Sequence, residues 1–332
     1  MKAYGIRRYK TPLELLELPR PQPGPNDVLV RVRAASVNPV DFKIRDGGVK
    51  VLIPYKFPLV LGNDLAGDVE AVGAGVTRFK PGDAIYTRLD KDRIGAFAEL
   101  ALVSESACAL KPAGLDYAEA ASLPLVGLTA WQVLIDLAHL ARGQKVLIHA
   151  GSGGVGTFAI QLAKHLGATV TTTASAKNHD LVRSLGADVA IDYKTTRFED
   201  VARDQDVVFD TQGGETLLRS FESAKPGGVV VTVGGVPDGK FARAWGVSLP
   251  IVWALAFMTR KITAAAKRKG VRFEYLFMRA SGEQLTEIGK LVDQGVVKPI
   301  LDRRFPFDAT RDALAYVESG KTVGKVVVDV AP

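Results

Sequence analysis

Lys145-Val-Leu-Ile-His-Ala150-Gly-Ser-Gly-Gly-Val-Gly156-Thr-Phe-Ala-Ile160 is the stretch that decides the fold. Its first part, Lys145 to Ala150, reads as a buried strand and runs without a linker into a G-x-G-x-x-G over 151–156. Beyond the loop, Val155, Ala159, Leu162, Ala163 and Leu166 recur at helical spacing. Thr169 to Ala174 then reads as the next strand. Strand, glycine loop, helix and strand together form the unit that holds a dinucleotide. The glycines let backbone N–H groups and the helix N-terminus approach a pyrophosphate. The glycine pattern alone would be weak, because the chain holds 33 glycines; the order of elements around it carries the reading.

Working outward, apolar strands near 189–191, 207–209 and 229–233 alternate with helices near 178–185 and 214–224. Continuous apolar strands alternating with helices predict a parallel sheet covered on both faces. A sixth strand is expected at 271–277, after a helical excursion at 245–269. A last helix near 281–294 and strands near 296–301 and 325–330 close the chain. Residues 1 to about 110 have another texture, with short strands such as 28–33 and 96–103 broken by Pro19, Pro21, Pro23, Gly24 and Pro25. Many short strands with little helix predict an antiparallel barrel or sandwich. The expected division is 1–123 with 278–332 as one domain and 124–277 as the other.

The 332 residues are 47% hydrophobic, 24% charged and 8% aromatic, the composition of a globular protein rather than a disordered or fibrous one. The longest apolar stretch, Trp245 to Met258, falls short of the roughly 20 residues of a membrane span. The single cysteine, Cys108, cannot form an internal disulfide or a cysteine zinc site. With no signal-like N-terminus either, the cytoplasm is the expected compartment. A net charge of +7 without clustered charge outside 261–269 gives no reason to expect a nucleic-acid partner. The four histidines (139, 149, 165 and 179) do not group with each other or with Cys108, so no metal site is expected. His149 reads as a residue that satisfies the backbone beside the loop.

The end of the second strand selects the dinucleotide. An NAD site offers a carboxylate there for the ribose 2′-hydroxyl. Here the run is Ala174-Ser-Ala-Lys-Asn178. Ser175 and Lys177 suit a 2′-phosphate, and Tyr193 after the third strand adds a hydroxyl on the same edge. NADPH is the expected cofactor; the alternative is that Lys177 only opens a solvated helix.

The barrel-like first half and the 150–156 loop resemble the medium-chain dehydrogenase/reductase superfamily, in its zinc-independent quinone and enone (alkenal) oxidoreductase branch. The likeness extends to reticulon-interacting mitochondrial oxidoreductases. It is carried also by Ala35-Ser-Val-Asn-Pro-Val-Asp-Phe-Lys43, Leu61-Gly-Asn-Asp-Leu-Ala-Gly67, Lys80-Pro-Gly-Asp83, Leu128-Thr-Ala-Trp131 and Gly324-Lys-Val-Val327. The resemblance implies a GroES-like β-barrel catalytic domain beside a Rossmann domain, with substrate in the cleft between them. It implies cofactor contacts from Thr129, Ser152, Gly153, Gly154, Val155, Gly234, Gly235 and Lys325. Zinc-dependent members carry a cysteine where Asn38 stands and a histidine where Asn63 stands, so a metal-free mechanism is implied here.

Without a metal, hydrogen-bond donors or a cation must polarise the substrate carbonyl. The matching family segment lines the active site, which makes Lys43, Asn38 and Asp41 the candidate catalytic residues, with Lys43 facing the carbonyl oxygen. A bland reading stands beside it: Asn38 as N-cap, Pro39 at the first helical position and Asp41 as the capping-box acid. Tyr55 is a further candidate proton donor or a loop-packing residue. The resulting expectation is hydride transfer to an α,β-unsaturated carbonyl or a quinone. The alternatives are an enoyl-thioester or carbonyl reductase, or a non-catalytic NADPH-binding sensor or scaffold. For the 245–269 excursion the expectation is packing at the active-site mouth or a subunit contact, with peripheral membrane contact as the alternative. The 271–277 strand is expected to pair across a homodimer.

Overall fold

The computed structural model describes residues 1–331. The chain divides into two compact units, Met1–Leu128 with Arg279–Pro332, and Thr129–Met278. The first crossover thus falls after Leu128, a few residues beyond the expected break at 123.

The first unit opens with β1 (Lys2–Ile6), β2 (Glu14–Glu17), β3 (Asp27–Val37), β4 (Leu59–Val60), β5 (Asp64–Val72), β6 (Ala84–Arg88), β7 (Leu100–Ser104) and β8 (Cys108–Leu110). One edge of β3 takes β5 antiparallel from Val28 to Ser36. Its other edge takes β7 with its first half. Register shifts at Leu29/Val30 and Val32/Ala34 mark where β3 bends, as bulged strands do at barrel rims. The 96–103 expectation shortens to β7, because Ala98 makes only an isolated bridge to Ala3. Tyr4, Ile6, Val30, Val32, Leu61, Leu65, Ile85 and Phe97 pack inside as one core.

The second unit carries β9 (Lys145–Ile148), β10 (Thr169–Ala174), β11 (Val189–Asp192), β12 (Gln205–Asp210), β13 (Ala224–Thr232) and β14 (Arg272–Tyr275). They form one sheet in the order β11-β10-β9-β12-β13-β14, with every pair parallel. The order reverses between β9 and β12, the switch point outside which doubly wound sheets bind ligands. Leu147, Ile191, Val208, Val230 and Phe221 build a core of its own. The 245–269 excursion follows the helix Gly239–Trp245 and consists of two more, Leu249–Met258 and Arg260–Lys269. Gly246, at φ +81°, ends Gly239–Trp245, and Pro250 sits in the first turn of Leu249–Met258.

The chain then returns to the first unit through the helix Gly282–Asp293, β15 (Leu301–Pro306), the helix Thr310–Glu318 and β16 (Lys325–Asp329). β16 pairs with the second half of β3, so that edge is shared between β7 and β16. The strand expected at 296–301 is instead β15. Val296 and Val297 fold back onto Leu291 to close the preceding helix, and Val297 is buried there. β15 pairs only with β16 and presents Arg303 and Arg304 to solvent, so apolarity did not mark it.

Candidate active site

In the second unit the site begins where β9 ends. Ala150 has φ +54°, a conformation that costs a non-glycine residue energy, and its N–H donates to Thr173 Oγ1 at 3.0 Å. Gly151 and Gly156 are required by the protein's own packing. A Cβ on Gly151 would stand 2.1 Å from Thr172 Oγ1, and one on Gly156 2.3 Å from the Ala150 carbonyl oxygen. Gly153 is different. Its φ is −82°, and a Cβ would meet only the Ala150 oxygen at 3.4 Å. Nothing in the folded chain demands glycine at 153; a side chain there would fill the space above the loop that a pyrophosphate needs. Gly154 opens the helix Gly154–His165, so Gly154 and Val155 offer first-turn N–H groups to that space.

Ser175, nearly buried, and exposed Lys177 follow the end of β10. Tyr193, also exposed, follows the end of neighbouring β11, whose Asp192 pairs with Ala174. Asn178 Nδ2 donates to Ser152 Oγ at 3.0 Å and ties this end to the glycine loop. Buried Asp210, at the tip of β12, accepts from Gln212 N, Gly213 N and Thr232 Oγ1 at 3.1, 2.9 and 2.6 Å. It draws the loops after β12 and β13 together, and a Cβ on Gly234 would come 2.9 Å from Gly213 N. Gly235 needs its φ of +76° instead. Thr129 is buried at the start of this unit.

His149 serves structure, through hydroxyls rather than the expected backbone groups. Ser220 Oγ donates to Thr216 O at 2.8 Å and therefore accepts from His149 Nε2 at 2.9 Å. Burial, and then Arg219, depress the imidazole to about 4, so it stays neutral.

In the first unit, Asn38 caps the helix Pro39–Arg45, and its backbone N–H donates to Asp41 Oδ2 at 2.7 Å. Capping is only part of the arrangement. Asn38 Nδ2 donates to Asp64 Oδ2 at 2.9 Å, and Asn38 Oδ1 accepts from Lys325 Nζ at 2.5 Å. Lys325 also donates to Val37 O at 3.2 Å and lies 3.9 Å from Asp64. Asp41 Oδ1 accepts from Asn63 Nδ2 at 2.7 Å, and Asp64 accepts from Ser36 Oγ at 2.8 Å and Leu125 N at 3.0 Å. All these side chains are buried, as is Arg88, which donates to Leu89 O.

Burial sets the charges of this cluster. Desolvation pushes Asp41 up to about 7 against the hydrogen bonds from Asn38 and Asn63. It also raises Asp64, opposed by Lys325, and lowers both Lys325 and Arg88. Each buried charge therefore persists only through its partners. The family resemblance implies a cofactor contact for Lys325, whereas its ammonium donates to Val37 O and Asn38 Oδ1 inside the first unit. Ser36, Asn63 and Asp64 lie in the segments that carry the family resemblance, which assigns a catalytic role to none of them, and no sequence signal singles out Arg88. Lys43 lies apart, exposed on the outer face of the Asn38-capped helix. Tyr55 donates its hydroxyl to Lys91 O at 2.5 Å, and burial raises its phenol.

The model for an alcohol dehydrogenase GroES-like domain matches residues 24–113, and the one for a zinc-binding dehydrogenase matches 185–328. The zinc of the second description does not fit the side chains present. Among the described residues no group of three His, Cys, Asp or Glu is placed to hold a metal ion. Asn38 and Asn63 present carboxamides already engaged with Lys325, Asp64 and Asp41. Cys108 is buried, its thiol pushed up to about 12 by burial.

The mitochondrial NAD(P)H oxidoreductase RTN4IP1 of Danio rerio is 35% identical over 92% of this chain and 84% of its own. The chloroplastic NADPH-dependent alkenal/one oxidoreductase of Arabidopsis thaliana is 36% identical over 93% and 73%. The quinone oxidoreductase structure from Coxiella burnetii superposes with a TM-score of 0.85 at 33% identity, covering 100% of this chain and 99% of that one. Likeness of this extent reaches both units, and the chain belongs to the medium-chain dehydrogenase/reductase superfamily.

Proposed function

We propose that this chain is an NADPH-dependent, metal-free reductase of α,β-unsaturated carbonyl compounds and quinones. The observation that carries the reading is the donor set of the first unit. Two carboxamides, Asn38 and Asn63, stand where metal-dependent relatives need thiolate and imidazole, and both are engaged by Lys325, Asp64 and Asp41. The second unit fits NADPH. Ser152, Gly153, Gly154 and Val155 would hold the pyrophosphate, Ser175, Lys177 and Tyr193 the 2′-phosphate edge, and Thr129, Gly234 and Gly235 the nicotinamide end. When bound, NADPH supplies the hydride. The names of the Arabidopsis and Coxiella relatives support the two acceptor classes.

Hydride arriving at the β-carbon of a conjugated enone moves negative charge onto the carbonyl oxygen. A cation placed there lowers the barrier because it meets charge that develops only in the transition state. Lys43 carries that role: it is the exposed cation on the helix that the buried cluster anchors through Asn38 and Asp41. Solvent water protonates the α-carbon. The test is NADPH oxidation over short-chain enones and benzoquinones. Lys43→Ala should lower kcat/KM by about 100-fold, the usual weight of one such donor. Turnover of neither class by the wild type would overturn the function; an unchanged kcat/KM in the variant would overturn only the role of Lys43.

A further inference from the structure

The helix Leu249–Met258 contains no charged residue, and only Val252 among its ten residues is buried. Leu249, Trp253 and Phe257, spaced four apart on one face, are 62%, 71% and 65% exposed, and Met258 is 60% exposed. Large apolar side chains so concentrated on a surface mark a contact with something apolar. The helix packs on its neighbour Gly239–Trp245 through Val252 and Ala256, where a Cβ on Gly239 would come 2.7 Å from the Ala256 Cβ, and its opposite side is left uncovered. A space of about 620 Å³ opens beside Val252, Trp253 and Ala256; Asp238, Lys240 and Arg243 also line it, with Lys240 paired to Glu274.

The next helix, Arg260–Lys269, follows at a 60° bend and carries Arg260, Lys261, Lys267, Arg268 and Lys269. No acidic residue occurs from Leu249 to Gly270. Glu222 pairs with Arg268 and Lys269, while Arg260 lies over the Phe257 ring at 3.9 Å. Lys261 and Lys267 are exposed. An apolar face with an indole, edged by cations, matches the boundary between acyl chains and anionic headgroups.

We propose that this face docks the chain peripherally on an anionic lipid bilayer. Charge complementarity selects the occupant. A second copy related by two-fold symmetry would set the same patch against itself, bringing like-charged helices together on a chain already at +7. Ten residues of helix span about 15 Å, half of a hydrocarbon core, so the helix lies in the interface and does not cross it.

The test is flotation of the full chain with vesicles of phosphatidylcholine containing about 30% phosphatidylserine, and with phosphatidylcholine alone. The chain should float with the anionic vesicles and be released by salt. Trp253→Ser with Phe257→Ser should lower partitioning at least about tenfold, and Lys261→Glu with Lys267→Glu by several-fold. These side chains are exposed, so an unchanged circular-dichroism melting curve shows that the variants fold. Brominated acyl chains should quench Trp253, with the quenching lost in Trp253→Phe. Failure to bind anionic vesicles, or binding indifferent to the apolar pair, overturns the proposal. So does a concentration-dependent dimer that the apolar pair dissociates while vesicle binding persists. Capture by poly-glutamate, lost in the same variants, without any vesicle binding would likewise overturn it in favour of an acidic polypeptide.

Discussion

The glycine loop of the second unit and the buried cluster of the first present opposite solutions to building a site. The loop is six consecutive residues, uses backbone atoms, and has so little room that single Cβ atoms decide its shape. The cluster is made of side chains from three stretches of chain, the Ser36–Asp41 segment, the Asn63–Arg88 strands and Lys325. Each of its charges costs energy to bury and is retained by the others. A site of the first kind is broken by adding atoms; one of the second kind is broken by removing a charge.

The largest effect should therefore come from the cluster. Lys325→Met removes the ammonium facing Asn38 and Asp64 and should cost about 3–5 kcal/mol, read as a fall in the urea midpoint. An unchanged midpoint would mean that the ammonium is not needed to hold the carboxylates. Next, Gly156→Val drives a side chain into the Ala150 carbonyl. It should cost about 3 kcal/mol and abolish NADPH binding measured by calorimetry. Gly153→Ala sharpens the contrast. It should cost no more than about 1 kcal/mol while still weakening NADPH, because its Cβ enters only ligand space.

Asp41 gives the cluster a pH signature that the loop lacks. Its folded-state pKa of about 7 lies above the unfolded value near 4, so the folded state holds its proton more tightly. The associated stability is fully present below about pH 4 and is lost as pH rises through about 7. The stability of the wild type relative to Asp41→Asn should fall between those values; a flat difference would contradict the burial argument. The substituted amide keeps a partner once the Asn63 carboxamide, whose Nδ2 now faces residue 41, turns over to present its unpartnered Oδ1. The smallest effect is expected at an exposed charge. Lys177→Ala should raise the NADPH dissociation constant about tenfold and leave that for NADH unchanged, read by fluorescence titration.

The same contrast explains what the sequence made legible. Loop 151–156 lies next to the strand and helix that define it, so the local order of elements located it, and continuous apolar runs located the parallel strands. The partners Asn38 and Lys325 are 287 positions apart, and no local pattern joins them. Asp64 carries no local signal either: it is one of three acidic residues in the strand Asp64–Val72, with Asp68 and Glu70, and only its burial sets it apart. Strand β15 escaped because its edge position leaves arginines where a buried strand would carry apolar residues.

The central claim is hydride delivery to a conjugated carbon without a metal. NADPH deuterated at C4, supplied with a short-chain enone and followed by NMR of the product, tests it directly. The account predicts deuterium on the β-carbon, in enzyme treated with chelator as in untreated enzyme. Deuterium on the carbonyl carbon, or transfer that stops after chelation and returns with zinc, would contradict it.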